Sequence, residues 1–324
     1  MKFNPLCVVF AAALVPLAAQ PAFAQDAAAE EAAPSEIMIG EALPGAFFMK
    51  PEGGGPFPAI ILFGGSEGGD SGARRKAPLF LEQGYAVLGL PYYSPAWGRP
   101  PQFPELPQAF DAIPVEKAGI ARDWLAARDD IRGEDIGLYG VSKGAEFVLL
   151  AGSYMDGFAA IAAIVPTDVV WEGWGPGTTS GEVSSFSWQG EPLPFVPYEG
   201  MGEAFALANQ TGTRPRLRVP HDRGRNANPD RAVAARIMVE KIDEPVLVAG
   251  GDADNVWNSG EMAQIIAERR AEAGLPTVSL VFTDAGHALS GTGAPSDWAN
   301  EQEIAAQQVI WPATLEFFSA HLQD

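Results

Sequence analysis

The feature that most limits how this chain can fold is an alternation of short apolar runs with longer helix-like runs, sustained from about residue 59 to the end. The runs at 59–63 and 86–90 have the length and composition of buried strands, and those at 136–139, 159–165, 245–249 and 278–282 also read as strands. Helix-like stretches lie at 73–83, at 115–128 behind Pro114, from 143 onward, at 260–273 and at 304–321. Strands that alternate with helices build a parallel sheet covered on both faces. The expected class is therefore α/β, with a mostly parallel central sheet, and no internal repeat is visible. One region, about 166–235, breaks the rhythm. It is rich in Gly, Pro and aromatics, including Trp171, Trp174, Phe186, Trp188, Phe195 and Tyr198. A stretch that long without clear elements is usually functional, so it is expected to form a cap insertion over the carboxyl edge of the sheet, where open α/β folds bind ligands. The alternative is a structural elaboration with a small core of its own.

The chain's beginning has a different character. Lys2, an apolar run over 6–19 and Ala22-Phe23-Ala24 match the form of a cleaved export signal. That pattern predicts a signal peptide at 1–24, a flexible Ala/Glu-rich leader at 25–36 and one folded domain over 37–324, exported to the periplasm or secreted. No later stretch reaches the roughly 18 uncharged apolar residues of a membrane span, so no membrane insertion is expected. Cys7, the only cysteine, falls within the predicted signal, which removes thiol catalysis and thiolate metal sites from consideration. A formal net charge of −20 opposes binding to nucleic acid. Oligomeric state does not follow from any of this.

The chemistry is carried by three short segments. Gly140-Val141-Ser142-Lys143-Gly144 stands between a strand-like and a helix-like run, the context of a nucleophile elbow. Without that context so short a string arises easily by chance. A serine nucleophile needs a histidine base, and the chain has three. His321 falls in the closing helix and His221 in what reads as an Arg-rich loop, whereas His287 follows a strand on the turn Asp284-Ala285-Gly286. The acid is expected in the turn after the strand at 245–249, at Asp254 or Asp252, with Asp168 as a third possibility. Asp254 is preferred because the usual turn places its carboxylate to accept the Nδ1 proton of the base. The order serine, acid, histidine belongs to the α/β-hydrolase fold. Two amides would hold the oxyanion of a tetrahedral intermediate: that of Lys143, next after the nucleophile, and one from the glycine-rich loop 63–69, at Gly65 or Ser66. No metal-ligand spacing is present, and the loop 64–69 lacks the lysine of a phosphate-binding loop. No cofactor is implied.

Several stretches resemble the C-terminal catalytic domain of the acyl-CoA thioesterase and bile acid-CoA:amino acid N-acyltransferase family. They are Leu62-Phe63-Gly64-Gly65, Leu90-Pro91-Tyr92-Tyr93, Ile113-Pro114-Val115-Glu116, Gly140-Val141-Ser142-Lys143-Gly144-Ala145-Glu146, Asp252-Ala253-Asp254-Asn255-Val256-Trp257-Asn258-Ser259 and Ala285-Gly286-His287. The resemblance implies Ser142, Asp254 and His287 as a triad. It also implies thioester hydrolysis rather than amino acid transfer, because the transferases carry cysteine at the elbow. The family's eukaryotic members have an N-terminal β-sandwich before the catalytic domain, whereas here only about twenty residues separate the predicted leader from the first strand-like run.

The expected function is hydrolysis of a small-molecule carboxylic ester or thioester through an acyl-enzyme. The alternatives are an acyltransferase to an amine or alcohol, and a non-catalytic exported binding protein. Aromatics of the insertion, Trp171, Trp174 and Trp188, would line an acyl pocket. Arg216 and Arg218 belong to a cluster with Arg214, Arg223, Arg225 and Arg231 that has the chemistry to hold phosphate or carboxylate, as does the group Arg74, Arg75 and Lys76. The plainer reading of both clusters is solvated loops paired with nearby acids.

Overall fold

The computed structural model describes residues 36–96 and 99–323. The predicted signal peptide and nearly all of the predicted leader lie outside these residues. In chain order the strands are β1 (Ile37–Met38), β2 (Phe47–Met49), β3 (Phe57–Phe63), β4 (Ala86–Gly89), β5 (Ile113–Pro114), β6 (Ile131–Val141), β7 (Ala160–Ile164), β8 (Phe186–Trp188), β9 (Glu191–Pro192), β10 (Val246–Gly251) and β11 (Thr277–Phe282). Eight of them form one sheet in the order β1-β2-β4-β3-β6-β7-β10-β11. The pairs from β4 through β11 are parallel, and β1 and β2 close one edge antiparallel.

Each central strand buries both faces. In β3, Ala59, Ile61 and Phe63 enter one apolar cluster while Ile60 and Leu62 enter the other, the period of two that a pleated strand imposes. Helices α2 (Lys117–Ala126), α3 (Lys143–Tyr154) and α7 (Ser259–Glu272) cover the first face. Helices α1 (Ser71–Leu81) and α8 (Glu301–Leu322) cover the second. The layered α/β arrangement is the one the alternation of apolar runs requires, and it is the α/β-hydrolase architecture.

The stretch between β7 and β10 is more ordered than its sequence suggests. It holds α4 (Met201–Thr211), α5 (Arg218–Ala227) and α6 (Pro229–Ala234), and its β8 and β9 join β5 in a small second sheet. The Arg-rich segment read as a loop is helix α5. Pro220 and Gly224 disguise it, since both are poor helix residues. Packing overrides propensity there: a Cβ on Gly224 would lie 1.9 Å from the Pro197 carbonyl oxygen, so only glycine lets this helix approach. His221, expected in a loop, is on the buried face of α5.

Candidate active site

β6 runs to Val141 and α3 begins at Lys143, leaving Ser142 alone in the turn with φ 58° and ψ −119°. A non-glycine residue at positive φ is strained, and here the strain lifts Oγ off the end of the sheet. The flanking glycines are dictated by space. A Cβ on Gly140 would lie 2.2 Å from the Gly144 carbonyl oxygen, and one on Gly144 would lie 2.4 Å from that of Gly64.

His287, in the loop after β11, places Nε2 3.0 Å from Ser142 Oγ. Its Nδ1 lies 2.7 Å from Asp254 Oδ2, on the loop after β10. A carboxylate can only accept, so Nδ1 carries the proton and Nε2 presents its lone pair to the serine hydroxyl. Asp254 is buried and fully engaged: Ser259 Oγ donates to Oδ2 at 2.6 Å and the Val256 amide donates to Oδ1 at 2.8 Å. The other two candidate acids lie elsewhere. Asp168 forms a bidentate pair with Arg225 at 2.6 and 2.7 Å, and Asp252 packs against Gly260 at the start of α7.

The glycine loop after β3 meets the elbow directly. A Cβ on Gly65 would lie 3.2 Å from Ser142 Cβ and 2.8 Å from the Glu67 carboxylate, so the loop packs tightly against the elbow. The buried Tyr92 hydroxyl donates to the Gly64 carbonyl at 2.8 Å, and burial holds its phenol well above its ordinary pKa and therefore neutral. Ser66 is the next residue of this loop, and Lys143 follows Ser142 at the first position of α3. The arrangement can place a serine oxygen, a base and backbone amides around one carbonyl carbon. A cleft of about 380 Å³ opens beside this loop, lined among others by Glu67, Ser71, Ser94, Arg99 and Gln102. Another, about 280 Å³ and apolar, lies within the insertion around Phe195 and touches none of the three hydrogen-bonded side chains. Among the described residues no group of three or more His, Cys, Asp or Glu is placed to hold a metal ion.

The side chains expected to bind substrate fare differently. Trp171 is fully buried, with its indole N–H on Thr167 Oγ1 at 2.8 Å and its ring against Tyr198 and His221, so it packs the insertion rather than walling a pocket. Trp174 packs on Tyr93 and Phe110, and Trp188 stacks on Tyr154. Arg216 is exposed. Arg218 is tied to the acid loop instead, donating to the carbonyl of Asp252 at 2.6 Å and that of Asp254 at 3.3 Å. Arg74 is paired with Asp70 and Glu36, and Lys76 is buried over the Trp311 ring.

The reading of the sequence assigned no role to three further features. Ser259 anchors Asp254, and Trp257 donates to the carbonyls of Val165 and Pro166 at 3.3 and 3.0 Å while meeting His287 edge-on, which accounts for the spacing Asp254-x-x-Trp257-x-Ser259. At the start of α8, Asn300 and Glu303 form a capping box, and Glu303 also accepts the Ala288 amide at 3.0 Å, beside His287. The Asn-x-x-Glu string was a legible signal for that helix start. His221 is the third. Its Nδ1–H donates to the Leu217 carbonyl at 2.7 Å, Nε2 has no partner, and burial lowers its pKa to about 4.

The profile of the family described as "BAAT / Acyl-CoA thioester hydrolase C terminal" matches residues 119–305. The chain belongs to this family. It is 25% identical to human mitochondrial acyl-coenzyme A thioesterase 2, over 86% of this chain and 55% of that protein. To the mouse peroxisomal succinyl-coenzyme A thioesterase it is 26% identical, over 82% of this chain and 57% of that protein. It thus spans little more than half the length of these relatives. Among solved structures it resembles MGS-M1, an α/β hydrolase from a deep-sea metagenome library, with a TM-score of 0.53 at 14% identity, covering 90% of this chain and 98% of that one. Porphyromonas gingivalis dipeptidyl peptidase 4 gives 0.54 at 13% identity over 86% of this chain and 33% of that one. At such identities the likeness speaks to the fold alone.

Proposed function

We propose that this family member hydrolyses a carboxylic ester or thioester through an acyl-enzyme on Ser142. The observation that carries the reading is the unbroken line from Asp254 through His287 to Ser142, with contacts of 2.7 and 3.0 Å. Ser142 Oγ attacks the acyl carbon as its proton passes to His287 Nε2, and the carbonyl oxygen becomes an oxyanion held by the Lys143 amide and by that of Gly65 or Ser66. The tetrahedral intermediate collapses, the thiolate or alkoxide leaves with the proton from His287, and the acyl group remains on Oγ. A water then attacks with His287 as base, and the acid is released. Asp254 keeps the Nδ1 proton in place and stabilises the imidazolium that forms at each step. Acyl-CoA thioesters are the first substrate class to examine, because the relatives named above are acyl-CoA thioesterases.

The test is hydrolysis of a long-chain acyl-CoA and a matched p-nitrophenyl ester by the purified protein, with Ser142→Ala as control. Thioester turnover that the variant lacks supports the reading. Turnover of the simple ester alone would make the protein a carboxylesterase, and retained activity in the variant would remove Ser142 from the mechanism.

A further inference from the structure

The residue after the candidate nucleophile is a lysine, and its side chain is not available to substrate. Lys143 is buried, with Nζ 2.6 Å from Glu146 Oε2 and 2.8 Å from Ser185 Oγ, and its ammonium lies over the rings of Phe110 and Phe186 at 5.3 and 4.9 Å. Glu146 is buried as well, and its other oxygen accepts the Trp171 amide at 3.1 Å. Ser185 donates onward to the Glu172 carbonyl at 2.9 Å. Lys143 and Glu146 stand in the first turn of α3, where the Glu146 amide donates to the Ser142 carbonyl at 3.1 Å. Trp171, Glu172 and Ser185 belong to the insertion. One ion pair therefore joins the elbow to two segments of the insertion, around 171–172 and at 185, through side chains that are all buried.

Stability alone does not account for charges in this place. Burying an ion costs several kcal/mol even after relaxation, and well-packed apolar residues of similar volume often serve as well. Burial pushes the Lys143 ammonium down and the Glu146 carboxyl up in pKa, each opposed by the partner's charge. What a buried pair supplies that apolar packing does not is direction, since each hydrogen bond fixes one atom relative to another. We propose that Lys143 and Glu146 are positioning residues, whose ion pair straps the insertion to the elbow and holds the Lys143 amide in the orientation an oxyanion requires. The same residue supplies the donor from its backbone and the anchor from its side chain. This inference rests on the reading of Ser142 as nucleophile.

The experiment compares the wild type with the charge-free pair Lys143→Met/Glu146→Gln and with Ser185→Ala. It reads melting temperature, the rate of Ser142 labelling by a fluorophosphonate, and kcat and KM for a p-nitrophenyl ester. The double variant is expected to fold, to label and turn over about ten-fold or more slowly, and to keep KM within a few-fold, because a misaimed amide costs transition-state stabilisation and little ground-state binding. Ser185→Ala, which removes one neutral hydroxyl, is expected to slow labelling a few-fold without a matching loss of melting temperature. Lys143→Arg/Glu146→Asp, which keeps the charges, should recover part of the labelling rate. Wild-type labelling and kcat in both the double variant and Ser185→Ala would overturn the strap. Absence of labelling in the wild type would instead overturn the nucleophile reading, and the strap with it.

Discussion

Two ends of the candidate site are held in place by different physics. At the elbow, Ser142 is positioned by backbone crowding: Gly140, Gly144 and the Gly64 carbonyl pack so closely that no Cβ fits between them. At the acid loop, Asp254 is positioned by donors: the Ser259 hydroxyl and Val256 amide hold its carboxylate, and Arg218 holds the carbonyls beside it. Crowding is intolerant of any added atom, whereas a hydrogen-bonded position can lose one donor and keep the rest. A substitution that adds an atom at the elbow should therefore fail abruptly, and one that removes a single donor from Asp254 should fail by degrees.

The largest expected effect on rate comes from removing what the acid loop exists to hold. Asp254→Asn should leave the fold intact and reduce kcat by about ten-thousand-fold, the scale seen when the orienting carboxylate of an unrelated triad is neutralised. Steady-state kinetics beside a circular dichroism spectrum would check it. Gly144→Ala attacks the other end. Its Cβ would meet the Gly64 and Phe63 carbonyl oxygens at 2.4 and 2.8 Å, backbone atoms that cannot swing away, so the domain should lose about 3 kcal/mol or more in denaturant titration. Ser259→Ala removes one of the three donors to Asp254 and should cost about 1.5–3 kcal/mol, or about ten- to a hundred-fold in kcat. If Ser259→Ala proved as damaging as Asp254→Asn, the acid loop would be no more tolerant than the elbow and the contrast would be lost.

A further effect, on stability alone, concerns pH. His221 is buried and faces the charged or titratable groups of Lys143, Asp254 and His287, along with the rings of Trp171, Tyr198 and Trp257. Burial lowers its folded pKa from the ordinary 6.5 to about 4, so between those values the unfolded chain binds a proton that the folded one refuses. This group's contribution is therefore full at neutral pH, falls as pH drops from about 6.5 to 4, and levels off below, a total of about 3 kcal/mol. His221→Phe should flatten that part of the profile relative to the wild type in pH-dependent thermal melts.

The contrast between the two ends also explains what could be seen in the sequence. Crowding leaves glycines, and Gly140, Gly144, Gly64 and Gly65 stand out in a linear string, as do the apolar strands that flank them. The fold was legible for the same reason, because a strand buried on both faces must be apolar throughout. Donor networks leave ordinary residues. Nothing marks Ser259 as the partner of Asp254, or Glu303 as the partner of the Ala288 amide, until the chain is folded. In the insertion the burial pattern is set by tertiary approach rather than by period. Arg218 reads as a surface cation yet holds a loop, Trp171 reads as a pocket aromatic yet is core, and α5 is a helix despite its proline and glycine.

The central claim is that Ser142 carries the acyl group. Its most direct test is to mix the protein with an acyl thioester, quench within the first turnover, and locate the mass increment by peptide mass spectrometry, with Ser142→Ala in parallel. An acyl increment on the peptide containing Ser142, absent in the variant, is the predicted result. Turnover without any increment on that peptide, or an increment that survives Ser142→Ala, would contradict it.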